Sequence, residues 1–190
     1  MNVFFTASLK GVEIYKKEYQ RIYEEIEKLG YKHLDDEIFK LSQKYYREIE
    51  KKGKEAYIDL YSRKIKHLEE ADIIVFECSF PSFSIGYMIQ KALDFNKPII
   101  ILYLKDNVPH FLSGIEEDRF IIQSYNLHNI TKIIKNTLKK AGERKDKRFN
   151  FFVSPKILTF LEKQSSSQGM TKTAYVRGLI IESMKKNNHI

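Results

Sequence analysis

The residues best suited to chemistry lie in one loop, Cys78–Ser84 with the sequence CSFPSFS, between two apolar runs. The runs Ile73–Phe76 and Pro98–Tyr103 are continuous rather than alternating, which predicts parallel strands buried on both faces. The segment Ile85–Phe95 between them is predicted to be a helix. In open α/β sheets, ligands bind beyond the carboxyl ends of the strands, so we expect a ligand at this loop.

Two serines in the loop, Ser82 and Ser84, come directly before the predicted helix. A helix N-terminus presents free N–H groups and a partial positive charge, and both favour a phosphate there. Lys10, at the end of the first predicted strand, is placed to reach the same anion. The alternative is structural: one of these serines is only an N-cap, and Lys10 is only a surface lysine.

The rest of the first 140 residues supplies the elements that position this loop. Gly30 is a suitable residue to end the first helix, and the acidic run Asp35–Glu37 is suited to begin the second. The pattern predicts an α/β fold, a Rossmann or flavodoxin-like parallel sheet with flanking helices, over residues 1–140. The remaining predicted elements are strands at Asn2–Thr6, Tyr31–Leu34 and Phe120–Tyr125, and helices at Tyr15–Leu29, Glu55–Glu70, Phe111–Ile115 and Leu127–Leu138.

Charge divides the chain into two parts. Of 33 Lys+Arg and 25 Asp+Glu among 190 residues, the last 52 residues hold 12 and 4, which leaves 21 of each in residues 1–138. The whole excess of +8 is therefore in these 52 residues, which favours a neutral body with a basic module that could bind phosphate. The alternative is a basic segment that is only solvated. Cys78 is the single cysteine, so no intramolecular disulfide can form. With no signal peptide or membrane span in the pattern, we expect a cytoplasmic protein, and we expect neither a metal nor a cofactor.

Two segments together, NVFFTASLKG and LEEADIIVFECSFPSFSIGYMIQKALDFNKPIIILY, resemble the 2′-deoxynucleoside 5′-phosphate N-hydrolases of the nucleoside 2-deoxyribosyltransferase superfamily. The resemblance covers residues 2–125. It implies an enzyme that cleaves or exchanges the base of a deoxynucleotide. In that family a Glu is the nucleophile, an Asp handles protons and a Tyr of the first strand assists.

The resemblance puts the three catalytic positions on Phe4, Lys64 and Met88, none of which can do the family's chemistry. A thioether cannot form the glycosyl ester that a carboxylate forms, and lysine brings the opposite charge. We therefore predict no catalytic residue, with Glu77 as the fallback candidate. Asp35 or Asp36 could also converge on the site from the second strand.

The phosphate-binding positions are better kept, since Ser8 and Ser82 match the family's serines and Lys10 replaces its arginine. Ala7 and Ser84 stand where the family has glycine, which counts against close backbone approach. Cys78 has no evident histidine partner and is a weak candidate nucleophile. The predicted nucleotide- and phosphate-binding residues are Ser8, Lys10, Gly11, Ser82, Ser84 and Gly86.

Residues 141–147, AGERKDK, lack apolar periodicity and are predicted to be a basic linker. After them, residues 148–190 resemble the ribbon-helix-helix repressors, most of all the plasmid copy-number repressors. Arg148–Val153 would be the ribbon, Ser154 the cap of the first helix with Pro155 at its first position, and Thr171 or Thr173 the cap of the second. The predicted inner faces hold Ile157, Leu158 and Leu161 on the first helix, and Ala174, Val176, Leu179 and Ile180 on the second.

About forty residues cannot bury these faces alone, so the motif predicts a homodimer or higher homo-oligomer whose ribbons pair. Alternation along the ribbon points Arg148, Asn150 and Phe152 outward, where the family reads the major groove of double-stranded DNA. Arginine can bind guanine, and asparagine adenine. With Lys147, these are the predicted DNA-binding residues. The alternative is a ribbon that only dimerises the protein.

Two hypotheses follow for the function. In the first, the protein is a dimeric DNA-binding regulator whose body binds a deoxynucleotide without cleaving it. In the second, it is an active deoxynucleotide N-glycosidase or deoxyribosyltransferase-type enzyme with relocated acids. That enzyme could also be a nucleotide-depleting effector of a toxin-antitoxin or defence system.

Overall fold

The computed structural model describes residues 1–40, 51–143 and 151–187. The chain divides into two compact units, Met1–Asp146 and Lys147–Ile190. We call the described residues of the first unit, up to residue 143, the body, and residues 148–190 the tail, of which 151–187 are described. Each is described by itself.

The body contains a five-stranded parallel sheet with the strand order β2-β1-β3-β4-β5. This order is that of flavodoxin-like sheets, so the predicted α/β class is confirmed. The direction of winding reverses between β1 and β3, whose registers include Val3 opposite Ile73. Ligands in such sheets bind at this reversal, beyond the carboxyl ends of the strands. The strands are β1 (Asn2–Ala7), β2 (Lys32–His33), β3 (Ile73–Glu77), β4 (Ile99–Leu104) and β5 (Phe120–Tyr125).

Helices cover both faces of the sheet, because β3 and β4 are apolar on both sides. On one face, the apolar sides of α1 and α5 pack on the sheet through residues such as Ile22 and Ile134. On the other face, α3 and α4 pack through residues such as Leu68 and Ile89. The helices of the body are α1 (Val12–Lys28), α2 (Glu37–Lys40), α3 (Lys54–Glu70), α4 (Phe83–Asp94) and α5 (Ile130–Glu143), with a 3-10 turn at His110–Gly114.

The predicted linker at 141–147 begins too early. The last helix of the body continues to Glu143, and Ala141 is fully buried in the core. Alanine is the best helix former and Gly142 costs only about 1 kcal/mol in a helix, so packing of Ala141 extends the helix past the point where the apolar pattern fades. Residues 144–147 lie outside the described part of the chain.

The tail contains two helices, α6 (Pro155–Ser167) and α7 (Lys172–Lys186). Ser154 caps the first, as predicted, since its hydroxyl accepts a hydrogen bond from the Ile157 N–H at 3.4 Å. Thr171, rather than Thr173, caps the second by accepting from the Ala174 N–H at 3.1 Å. Gly169 between them has a φ of 64°, which suits glycine.

The ribbon of the tail is only partly described. Residues 148–150 lie outside the described residues, and Phe151–Val153 form no strand in the single chain. The predicted inner faces are largely open: Ile157 is 49% exposed and Ile180 is 54% exposed. The ribbon-helix-helix assignment therefore stays a prediction that needs a partner chain. In the part of the chain that is described, no helix is both long and apolar enough to cross a membrane.

Candidate functional site

Two loops meet at the carboxyl ends of β1 and β3. They are the loop 8–11, which leads into α1, and the loop 78–82, which leads into α4. A Cβ atom placed on Gly11 would lie only 2.9 Å from the Cβ of Phe80 and 2.3 Å from the Tyr19 hydroxyl, so Gly11 lets the loops pack closely. The turn is closed by the Gly11 N–H, which donates to the Ser8 carbonyl at 3.0 Å. The structure thus brings the two predicted phosphate loops together.

The side chains of these loops differ in accessibility. Ser8 is buried, whereas Lys10 and Ser84 are exposed. Ser82 is the N-cap of α4, since its hydroxyl accepts from the Ile85 N–H at 3.5 Å. The structural alternative is therefore realised for Ser82, although capping does not prevent the helix N-terminus from meeting an anion. Apart from the neighbouring backbone of its own helix, no atom of the described residues lies within 4 Å of a Cβ placed on Gly86, so the helix is open to approach there.

The three positions that the resemblance assigns to catalysis lie on the α3/α4 face of the sheet. Phe4 is fully buried, and the Lys64 ammonium lies 5.5 Å from the centroid of its ring. Met88, on α4, packs against the apolar cluster that contains Phe4. The structure therefore brings these positions to one layer, and none of the three residues carries a carboxylate.

Carboxylates nevertheless reach Lys64 from the segment after β2. The Lys64 ammonium makes ion pairs with Asp35 and, at 2.8 Å, with Glu37, while Nδ1 of His67 lies 3.6 Å from Asp35 Oδ2. The His67 ring also lies 5.6 Å from the Phe4 ring, centroid to centroid. We call Asp35, Glu37, Lys64 and His67 the Asp35–Lys64 cluster. Since Asp35 and Glu37 bind the same nitrogen, their nearest oxygens lie within about 6 Å of each other.

Glu77, the fallback candidate, ends β3 and is fully buried. Burial raises the pKa of its carboxyl, against the opposing effect of hydrogen bonds from Ser79 and Tyr125. Burial, followed by the charge of Glu77, also raises the pKa of the Cys78 thiol. A thiol with a raised pKa is a poor nucleophile, and a fully buried carboxyl has no access to a substrate. Neither residue is in a position to attack a sugar.

Several features of this region escaped the sequence analysis. Tyr19 and Tyr125 carry no motif, and they reach Glu77 from α1 and β5 only because the sheet brings those elements together. His67 was likewise not singled out. Asp72, directly before β3, has a structural role, since its Oδ2 accepts from the Asn2 N–H at 2.9 Å.

The predicted DNA-binding residues are described in part. The side chain of Phe152 is fully exposed. Lys147, Arg148 and Asn150 lie outside the described residues. Within the described ranges, no three His, Cys, Asp or Glu side chains are grouped so that they could hold a metal ion.

Comparison with known proteins relates the chain to nucleotide N-hydrolases. A Thermofilum pendens protein whose name predicts a 2′-deoxynucleoside 5′-phosphate N-hydrolase is 28% identical over 133 residues, 66% of this chain and 86% of that protein. A 5-hydroxymethyl-dUMP N-hydrolase of Branchiostoma floridae is 27% identical over 44% of this chain and 84% of its own length. The mouse protein of the same name, from Mus musculus, is 29% identical over 54% of this chain and 57% of its own length.

Two further comparisons add little. A solved structure of a CMP N-glycosidase from Clostridium botulinum has a TM-score of 0.49 and 16% identity, and covers 72% of this chain and 97% of its own. No protein-family model matches the chain. The sequence relatives confirm the predicted resemblance for the body, which is similar to nucleotide N-hydrolases of the nucleoside 2-deoxyribosyltransferase type.

Proposed function

We propose that the body binds a deoxynucleoside monophosphate at the loops 8–11 and 78–82. The observation that carries this proposal is the contact between the two loops at Gly11 and Phe80. It supports one anion site built from Lys10, the α4 N-terminus and the backbone beside Gly86. The names of the relatives, which specify 2′-deoxynucleoside 5′-phosphates and a dUMP derivative, support the same ligand class.

Calorimetric titration with dUMP and dAMP, and with the matching nucleosides, tests this site. Lys10→Ala should weaken binding of the monophosphates, by about tenfold for the loss of one charge-assisted contact, and leave nucleosides unaffected. Lys17→Ala, which removes an exposed lysine from α1, is the matched control. Equal affinity for nucleoside and monophosphate would contradict a phosphate site.

The tail supplies the second part of the proposed function: dimerisation and binding of double-stranded DNA, so that the whole protein acts as a regulator. Its basic charge and the resemblance of residues 148–190 support this. A further support is the open apolar side of α6 and α7, which a single chain leaves in water. In the dimer, Arg148 and Asn150 would reach base edges, and Phe152 would make apolar contact.

A gel-shift series at increasing salt tests the tail. Arg148→Ala should weaken duplex binding, by about 1–3 kcal/mol if it reads a guanine, whereas Lys185→Ala in the last turn of α7 should change it much less. Absence of duplex binding at low salt would rule out the regulator.

One observation favours the enzyme as the alternative. Asp35 and Glu37 both bind Lys64, with their nearest oxygens within about 6 Å of each other, a range that includes the roughly 5–5.5 Å between the paired carboxyl groups of retaining glycosidases. In this reading the acids have moved to the strand-β2 side of the site. Against it, both carboxylates are ion-paired with Lys64, which lowers their nucleophilicity.

Release of free base from deoxynucleoside monophosphates distinguishes the two readings. If the relocated acids are catalytic, wild type releases base and both Asp35→Asn and Glu37→Gln abolish release. If the body only binds, wild type releases no base while calorimetry still detects the nucleotide.

A further inference from the structure

Glu77 is a buried carboxyl that has no role in the proposed nucleotide site or in the alternative enzyme. It is the last residue of β3, at the carboxyl ends of the strands, where the two loops meet, and it is fully buried. A carboxyl without solvent costs several kcal/mol unless its oxygens are hydrogen-bonded. We therefore ask which groups hydrogen-bond to Glu77 and which parts of the structure they hold in place.

Hydrogen bonds connect Glu77, directly or through Ser79, with the ends of two other strands. The Ser79 hydroxyl donates to Glu77 Oε1, and the Ser79 N–H lies 3.3 Å from each carboxyl oxygen. The Tyr125 hydroxyl, at the end of β5, donates to Oε1 at 3.0 Å. The Ser79 oxygen in turn accepts from the Leu104 N–H at 2.8 Å, at the end of β4. Glu77 thereby links the ends of β3, β4 and β5 to the start of the loop 78–82.

The same carboxyl faces the other loop through Tyr19. Burial, followed by the charge of Glu77, raises the pKa of the Tyr19 hydroxyl. Among the described residues that hydroxyl makes no hydrogen bond of full geometry, although its interaction with Glu77 contributes to the pKa shifts of both groups, so it is a close neighbour of Glu77 and not a fixed donor. It is also the atom that a side chain at position 11 would strike. Tyr19 therefore fills the space between Glu77 and Gly11 of the loop 8–11.

We propose that Glu77 is a positioning residue, which holds the loops 8–11 and 78–82 in the arrangement that receives the phosphate. The inference rests on the proposed nucleotide site of the body. It assigns Glu77 no contact with the ligand: the carboxyl acts through Ser79 on one loop and through Tyr19 on the other. Replacement by glutamine keeps the shape but puts an N–H₂ group where a second acceptor oxygen was, so part of the hydrogen-bonding set is lost.

The test measures the loops directly and the ligand separately. Hydrogen exchange of the full-length, ligand-free Glu77→Gln protein should be faster at amides 9–12 and 79–86 than in wild type. The affinity for dUMP should fall by at least about tenfold, the scale for losing a residue that supports a ligand site. Ile134→Val removes one methyl group from the apolar cluster that also contains Tyr19 and Tyr125, and it leaves the hydrogen bonds of Glu77 in place. It is the control for a general loss of stability. It should leave both measurements unchanged after correction for Tm.

The outcomes separate the two proposals. Faster loop exchange without dUMP binding in any variant, wild type included, supports the positioning role and rejects the nucleotide site. Unchanged loop exchange in Glu77→Gln, or a change that Ile134→Val reproduces at equal Tm, overturns the positioning role. If Glu77→Gln does not fold, Tyr125→Phe removes one donor and keeps the ring, and the same criteria apply to it.

Discussion

The body and the tail bury their apolar side chains in different ways. In the body, every central strand has apolar residues on both faces, and helices cover both, so that Phe76, Ile100 and Ile101 are fully buried. In the described tail, no apolar side chain is buried, and the single buried residue is Ser165. The body closes its core within one chain, and the tail does not. Its described residues include two capped helices and an interhelical ion pair, Lys172 with Glu162 at 2.8 Å, but no buried apolar core.

This difference indicates that a stable fold needs both local signals, such as helix caps, and burial of apolar side chains, and that one does not supply the other. Caps and turns contribute about 1 kcal/mol each, whereas two short helices gain most of their stability from packing an apolar face. We therefore expect the stability of the body to be independent of protein concentration and that of the tail to rise with it. Four predictions test or refine this contrast.

The largest effect is expected in the tail. If the tail dimerises as proposed, Ile180→Glu should convert the protein to a monomer and abolish duplex binding, because a charge would enter the apolar interface at a cost of several kcal/mol. Sedimentation velocity over a range of micromolar concentrations measures the dimer. Gln168→Glu adds the same charge at an exposed polar position after α6 and should leave assembly intact. An Ile180→Glu protein that remains dimeric would show that the tail is not the dimer interface.

The next effect is in the body and needs no partner chain. Lys64→Met should destabilise the body by about 3 kcal/mol, because it leaves the buried Asp35 carboxylate without its ammonium partner. Urea unfolding measures the loss, which should not vary with protein concentration. The double variant Asp35→Asn/Lys64→Met should recover part of it. Equal losses in the single and double variants would mean that the pair is not coupled.

The Asp35–Lys64 pair also shows which features of the structure could be predicted from the sequence and which could not. The strands around Cys78–Ser84 were predictable, since continuous apolar runs allow few other structures. The sequence predicts that Asp35 or Asp36 converges on the site, but the pairing of Asp35 with Lys64 joins positions 29 apart and depends on how α3 packs. The positions of acids relative to a site depend on tertiary structure, which local patterns do not encode.

The same reason explains the features that were missed. The hydrogen bond from Tyr125 to Glu77 spans 48 positions and no motif announces it. The linker boundary was missed for a different reason: burial of Ala141, not apolar periodicity, extends α5. The start of α4 and its serine cap were easier to predict, because helix termini carry local signals.

A smaller effect distinguishes two glycines of the site. Gly11→Ala should destabilise the body by about 1–3 kcal/mol, since the new Cβ would clash with Tyr19 and Phe80. Gly86→Ala should stabilise it by about 0.5–1 kcal/mol, since the position is helical and the new Cβ meets no described atom outside the backbone of its own helix. Thermal unfolding with dUMP titration measures both. Weaker dUMP binding by the stabilised Gly86→Ala protein would show that the ligand approaches this backbone, whereas unchanged binding would remove Gly86 from the site.

The smallest effect at any one pH concerns the proton of Glu77. Burial raises its folded pKa above the ordinary value of 4.5, so the folded body holds this proton more tightly than the unfolded chain does. The resulting stabilisation is fully present below the ordinary pKa and is lost as pH rises through the raised value. Burial also raises the pKa values of the neighbouring Tyr19, Tyr125 and Cys78, so these groups stay neutral over that interval. Urea unfolding of wild type and Glu77→Gln at stepped pH should therefore give a free-energy difference that falls with rising pH and then levels off. A difference that is constant with pH would mean that the folded carboxyl has an ordinary pKa, and that Ser79 and Tyr125 hydrogen-bond it strongly enough to offset its burial.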